Sequence, residues 1–141
     1  MTVSSETVRT LLARARTSAD ARITPAVSLI LSAFMSLKDL ERLTWFDVDF
    51  QAASVVIRHR EEVRTAPMTE LLVRQLLAVK EVSERSRVFA ACGAMTTSIG
   101  EALRNLFSSA GLPELSPADF RQWSLEQTPA IRLAVITAAS Y

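Results

Sequence analysis

Apolar positions recur at helical spacing along most of the chain, with one interruption near its middle. Val8, Leu11, Leu12 and Ala15 follow Ser4 and Ser5 at intervals of three and four, and Arg9, Arg14 and Arg16 lie off that stripe. The pattern predicts an amphipathic helix over 5–17 with a basic outer face. Thr24-Pro25 reads as a cap followed by a first-turn proline, opening a central apolar helix that runs to Met35. Ser36, with Asp39 three residues on, has the form of a capping box ahead of a short helix over 37–44 whose Leu37, Leu40 and Leu43 share one side.

Between Trp45 and Met68 the helical period gives way to β-branched residues, which predicts two or three short strands. The run 58–62 is the expected hairpin tip, and Pro67 closes the last strand at an edge. Thr69 then caps a helix carrying Leu71, Leu72, Leu76 and Val79 on one face. A charged loop over 81–87 and an extended piece over 88–90 follow. Ser98 and Glu101 next form a second capping box, opening a helix that stops at Gly111. Ser116-Pro117 and Thr128-Pro129 repeat the cap-then-proline signal and open two more helices. The expected order is three helices, a small sheet and four helices, in one mostly α-helical α+β domain spanning 1–141.

Composition narrows the chemistry. The 141 residues include one Cys, one His and three Gly. A single Cys92 and a single His59 are too few for a zinc or iron-sulfur site or an internal disulfide, so no metal is expected. The three glycines are too scattered for a phosphate-cradling loop, and no cofactor is expected. The longest apolar stretch, 26–35, is about half a membrane span, and the N-terminus lacks the form of a signal peptide. The expectation is a soluble protein of the reducing cytoplasm with Cys92 as an inert thiol. The net charge is only +1, yet the basic residues are nearly all arginine, with Lys38 and Lys80 the two lysines. Arginine suits phosphate and carboxylate forks.

Several strings, in order, resemble the catalytic domain of the tyrosine recombinases, the phage-integrase family. Residues 4–12 resemble its opening helix and 29–45 its long apolar helix and the segment after it. Trp45-Phe46-Asp47-Val48-Asp49 resembles the tryptophan-acid motif that leads into the sheet. Arg64-Thr65-Ala66-Pro67-Met68 is similar to the strand that closes the family's hairpin. Ala110-Gly111-Leu112 and the string 115–121 look like the segment carrying its His-x-x-Arg motif. The resemblance runs from about residue 4 to 127. It implies a tyrosine-recombinase catalytic-domain-like fold with a small three-stranded antiparallel sheet, lacking the family's N-terminal core-binding, DNA-clamping domain.

In that family a tyrosine attacks DNA, two arginines clamp the scissile phosphate, and a hairpin lysine protonates the leaving oxygen. By the same resemblance the first arginine's place falls on Ser36, the lysine's near His59, and the motif histidine's on Ala118. Arg121 stands where the second arginine belongs. The one tyrosine, Tyr141, lies twenty positions beyond Arg121 and is not equated with the nucleophile. Loss of one preorganised donor costs about two to three orders of magnitude in rate, so the residues argue against turnover by DNA strand cleavage and rejoining. The remnant catalytic candidates are Arg121, His59 and Tyr141.

The leading expectation is therefore a catalytically degenerate, mobile-element-derived domain. It would bind double-stranded DNA, or regulate recombination and integration by pairing with itself or a recombinase. Its candidate DNA-binding residues are Arg58, His59, Arg60, Arg64 and Arg121. Each has a plainer reading: Arg121 paired internally with Asp119 or Glu126, and the hairpin arginines as a solvated tip interrupted by Glu61 and Glu62. Trp45 and Trp123 read as core anchors. Two alternatives stand: a protein-interaction domain with no DNA role, and a recombinase whose Tyr141 is donated to a neighbouring protomer.

Overall fold

The computed structural model describes residues 3–83, 85–91 and 97–140. Among the described residues, seven helices and one sheet follow the expected order: α1 (Ser5–Arg16), α2 (Ile23–Ala33), α3 (Leu37–Arg42), a 3-10 turn (Trp45–Asp47), β1 (Val48–Asp49), β2 (Ser54–His59), β3 (Glu62–Pro67), α4 (Glu70–Val82), α5 (Ile99–Ser109), α6 (Pro117–Glu126) and α7 (Pro129–Ser140). Helix α2 is the axis of the domain. It buries residues on every side, from Ile23 through Leu31 to Ala33, because α1, α4, α5, α6 and α7 all pack against it. A helix that is apolar all round needs such enclosure.

The amphipathic helices turn their stripes toward that axis. Val8, Leu11, Leu12 and Ala15 of α1, Leu72, Leu76 and Val79 of α4, and Leu103, Leu106 and Phe107 of α5 are buried. Trp123 lies in the core, as its sequence context predicts, and Trp45 is half-buried with its ring stacked on Phe50 at 6.2 Å. The sheet is antiparallel in the order β1-β2-β3. Val55↔Ala66 and Ile57↔Arg64 place one sheet face on the core, with Val55, Ile57 and Ala66 buried. Pro67 ends β3 at the sheet edge, as expected from its missing N–H.

Caps explain most boundaries. Ser4, Thr69 and Ser98 each accept a hydrogen bond from an N–H in the first turn of the helix they precede. Ser36 with Asp39 forms a reciprocal capping box, and at the start of α6 the Asp119 carboxylate accepts from both the N–H and the hydroxyl of Ser116. Gly111 adopts φ +77°, the left-handed conformation that ends α5.

Five expectations need correction. Helix α2 begins at Ile23 rather than after Thr24, with no side-chain cap. Arg22, anchored by Asp20, sets the entry instead, and Thr24 hydrogen-bonds the Ala15 carbonyl. Pro25 still falls in the first turn, where a missing N–H costs nothing. Helix α3 stops at Arg42 rather than 44, because Thr44 opens the 3-10 turn. The hairpin tip shrinks to Arg60-Glu61, since Arg58↔Val63 and His59↔Glu62 are still paired. Beyond it, α4 continues to Val82, into the expected loop, and 88–90 is a turn rather than an extended piece. The extended contact there is a bridge between Thr44 and Arg87, which leaves Val88 and Phe89 buried behind it.

Candidate functional site

The carboxyl end of α2 brings together two of the residues that the sequence singled out, Arg64 and Arg121. Phe34 ends the helix at φ 57°, a left-handed conformation unusual for a large side chain. The last carbonyls of a helix have no partner within it. Here arginines supply the donors: Arg64, from the core face of β3, donates to Ala33 O, and Arg121 Nε, from α6, donates to Phe34 O at 2.6 Å. Cations are favoured at this end of the helix dipole. Arg132 of α7 completes the arrangement, with its guanidinium 4.7 Å from the Phe34 ring centroid and Nη1 donating to Ser124 O at 3.0 Å. Below it, Ser124 Oγ donates to Leu31 O.

Two residues beyond Phe34 lies Ser36, which is committed to α3. Its Oγ accepts from Asp39 N at 3.2 Å, and Asp39 Oδ2 accepts from Ser36 N at 2.9 Å. His59 reaches the same carboxylate from the end of β2, with Nδ1 3.0 Å from Oδ1 and 3.1 Å from Oδ2. Burial of Asp39 by itself raises the pKa of its carboxyl. Hydrogen bonds from the Ser36 backbone, His59 and the Ser36 side chain, with the attraction of His59, outweigh that and hold it below its ordinary value. Ser36, Asp39 and His59 thus tie the hairpin to the start of α3.

The remaining hairpin arginines face elsewhere. Arg58 lies on the outer face of β2 and pairs with Asp47, 3.3 Å from Oδ1. Asp47 is itself buried and also accepts from Thr44 N and Oγ1 through Oδ2. Arg60 is exposed at the tip. The structure therefore divides the candidate basic set: Arg64 and Arg121 meet at the end of α2, His59 is held by Asp39 of α3, and Arg58 and Arg60 line a cavity together with Arg42 of α3.

Arg121 has no carboxylate partner of the kind its neighbours suggested. Asp119 is used by the Ser116 cap, Glu126 accepts from Gln122 at 2.9 Å, and a backbone carbonyl takes the guanidinium. Ala118 is exposed in the first turn of α6. Tyr141 and Cys92 lie outside the described residues. Among the described residues no group of three or more His, Cys, Asp or Glu side chains is placed to hold a metal ion, and no helix is long and apolar enough to cross a membrane.

Sequence reasoning missed three contributors. Asp39 was legible as a cap but not as the partner of His59, twenty residues away. Arg42 gave no signal beyond its charge. Arg22 is wholly buried, with Nε 3.0 Å and Nη2 2.7 Å from the two Asp20 carboxylate oxygens and Nη1 3.1 Å from Phe89 O. The i, i+2 spacing of Asp20 and Arg22 is a faint signal that nothing in the sequence distinguishes from a surface pair.

No family model matches the chain, and no curated protein matches it significantly. Solved structures do. A crystal structure of XerA recombinase superposes with a TM-score of 0.70 at 17% identity, over 96% of this chain and 55% of that one. The Tn1549 transposon integrase in complex with a circular intermediate DNA gives 0.70 at 13% identity, over 96% of this chain and 57% of its own. The same integrase with transposon right end DNA gives 0.67. The chain has the mostly helical α+β fold of the tyrosine recombinases, with their small three-stranded antiparallel sheet. Within that class it is integrase-like in fold, and it spans little more than half the length of the chains it resembles.

Proposed function

We propose that this domain is a catalytically silent tyrosine-recombinase-like module that binds duplex DNA, or acts on recombination through a DNA-bound partner. The observation that carries the reading is the state of Ser36 and His59. The position resembling the family's first phosphate-clamping arginine holds a serine occupied in capping α3, and the position resembling its proton-donating lysine holds an imidazole bonded to Asp39. Phosphoryl transfer needs fixed positive donors and a proton for the leaving oxygen. With Ser36 uncharged and Arg121 anchored by Nε to Phe34 O, such donors are too few for turnover. The fold and the exposed arginines of the hairpin remain suited to a phosphate backbone, which is bound by charge without chemistry. The solved neighbours that hold DNA add support.

A nicked suicide duplex tests the silent half of the proposal: no covalent protein-DNA species forms. A covalent product that disappears in Tyr141→Phe would overturn it and favour a tyrosine donated in trans. Duplex titration against salt tests the binding half, with affinity expected to fall steeply as salt rises. A second reading, a protein-interaction domain, draws on the wholly exposed Phe46 and on Ile131 and Leu133 of α7, about half exposed. Absence of duplex binding at low salt, with self-association in sedimentation, would favour it.

A further inference from the structure

A cavity of ≈ 260 Å³ lies between α3, the 3-10 turn and β2, and its charged lining is Arg42, Arg58, Arg60, Asp39 and Asp47. We propose that this cavity is a phosphodiester-binding site in which Arg42 and Arg60 are the principal donors. The inference rests on the DNA-binding reading and gives it a location.

The arginines differ in what already holds them. Arg64, Arg121 and Arg132 each have a donor committed to a backbone carbonyl, and Arg22 is buried on Asp20. Arg9 pairs with Glu6, Arg74 with Glu70, and Arg14 Nε donates to Ser109. Among the described residues, the guanidiniums of Arg16, Arg42, Arg60, Arg85, Arg87 and Arg104 have neither an ion-pair nor a hydrogen-bond partner, and of these Arg42 and Arg60, both exposed, line the same cavity. The carboxylates in the same lining are engaged elsewhere: Asp47 by Arg58 and Thr44, Asp39 by His59 and the amide of Ser36. Three arginines against two aspartates leave one positive charge, the complement of a single diester, and two full guanidinium forks to bind it.

The backbone at the tip points the same way. Arg60 and Glu61 form a two-residue turn, and Arg60 alone of the two has positive φ, 57°. That first position of a two-residue hairpin turn favours glycine. An arginine held there keeps a charge at the tip against local backbone preference, as functional residues do. Arg42, in the last turn of α3, lines the same cavity.

The test uses the full chain. Each phosphate contact adds about 0.9 to the slope of log affinity against log salt. The Arg42→Gln/Arg60→Gln variant is therefore expected to lower the slope for duplex DNA by about 1.8, which makes the loss between 50 and 200 mM salt about tenfold smaller. Arg60→Gly separates binding from folding. Glycine suits the turn, so the melting temperature should not fall, while the slope drops by about 0.9. An unchanged slope in the double variant overturns the site. If the wild-type chain binds no duplex, the DNA reading falls and dimethyl phosphate decides the site. Shifts of the Arg42 and Arg60 Nε–Hε resonances on its titration, lost in the double variant, sustain a free-phosphodiester site, and their absence overturns it.

Discussion

Asp20 offers the sharpest test of how the domain is held together. Arg22 stands at the amino end of α2, where a positive charge opposes the helix dipole, and its guanidinium is wholly buried. Two charge-assisted hydrogen bonds to Asp20, at 3.0 and 2.7 Å, neutralise it, while Phe89 O and Thr97 Oγ1 take further donors at 3.1 and 3.4 Å. Asp20→Ala leaves that charge with neutral acceptors only. Stripping one partner from a fully buried pair costs about 3–5 kcal/mol. The Asp20 side chain retains 21% exposure, and water entering there lowers the expected loss to about 2–4 kcal/mol. For 141 residues that is roughly 10 °C in melting temperature. Asp20→Ala/Arg22→Met removes the stranded charge and should lose less than the single variant, because apolar replacement of a buried pair is often near neutral. Urea titrations of the three proteins read both quantities. A loss below about 1 kcal/mol for Asp20→Ala, or a double variant less stable than the single, refutes the account of a buried charge held by Asp20.

Acid should unfold the domain through the same kind of contact. Burial alone would raise the carboxyl pKa of both Asp20 and Asp39, but hydrogen bonds and nearby positive charge hold each below its ordinary value in the fold. A depressed carboxylate stabilises the fold fully above its unfolded pKa, near 4, and that stability is lost as pH falls through the lower folded value. Urea midpoints should therefore drop from about pH 5 downward, less steeply in Asp39→Asn; equal slopes would remove Asp39 from the explanation. Arg121→Gln should cost about 1–3 kcal/mol by leaving Phe34 O without its donor, and a urea midpoint equal to wild type would show that the contact contributes nothing.

Much of the fold was legible because local chemistry fixed it. Ser4, Ser36, Thr69 and Ser98 precede helices for the reason their residue type implies, an oxygen offered to unpaired amides. The apolar helix 23–33 could only be central, and the β-branched run could only be sheet. Errors arose where a distant partner intervened. The start of α2 shifted because Asp20 and Phe89 hold Arg22, and the turn at 88–90 formed because Thr44 pairs with Arg87.

The candidate site divides along the same line. By itself, the sequence determined the helical and sheet elements, the scarcity of histidine, lysine and tyrosine, and the resemblance that put Ser36, His59 and Arg121 at positions of interest. It could not determine which arginines are free. That depends on whether a guanidinium meets a helix carbonyl, a carboxylate or solvent, and those groups lie tens of residues away along the chain. Only the tertiary structure placed Arg64 and Arg121 on the end of α2, His59 on Asp39 and Arg58 on Asp47, and left Arg42 and Arg60 lining one cavity. Charge is written in the composition, but its availability is decided by packing, because each N–H that a guanidinium gives to a carbonyl or carboxylate of its own chain is one fewer to offer a ligand.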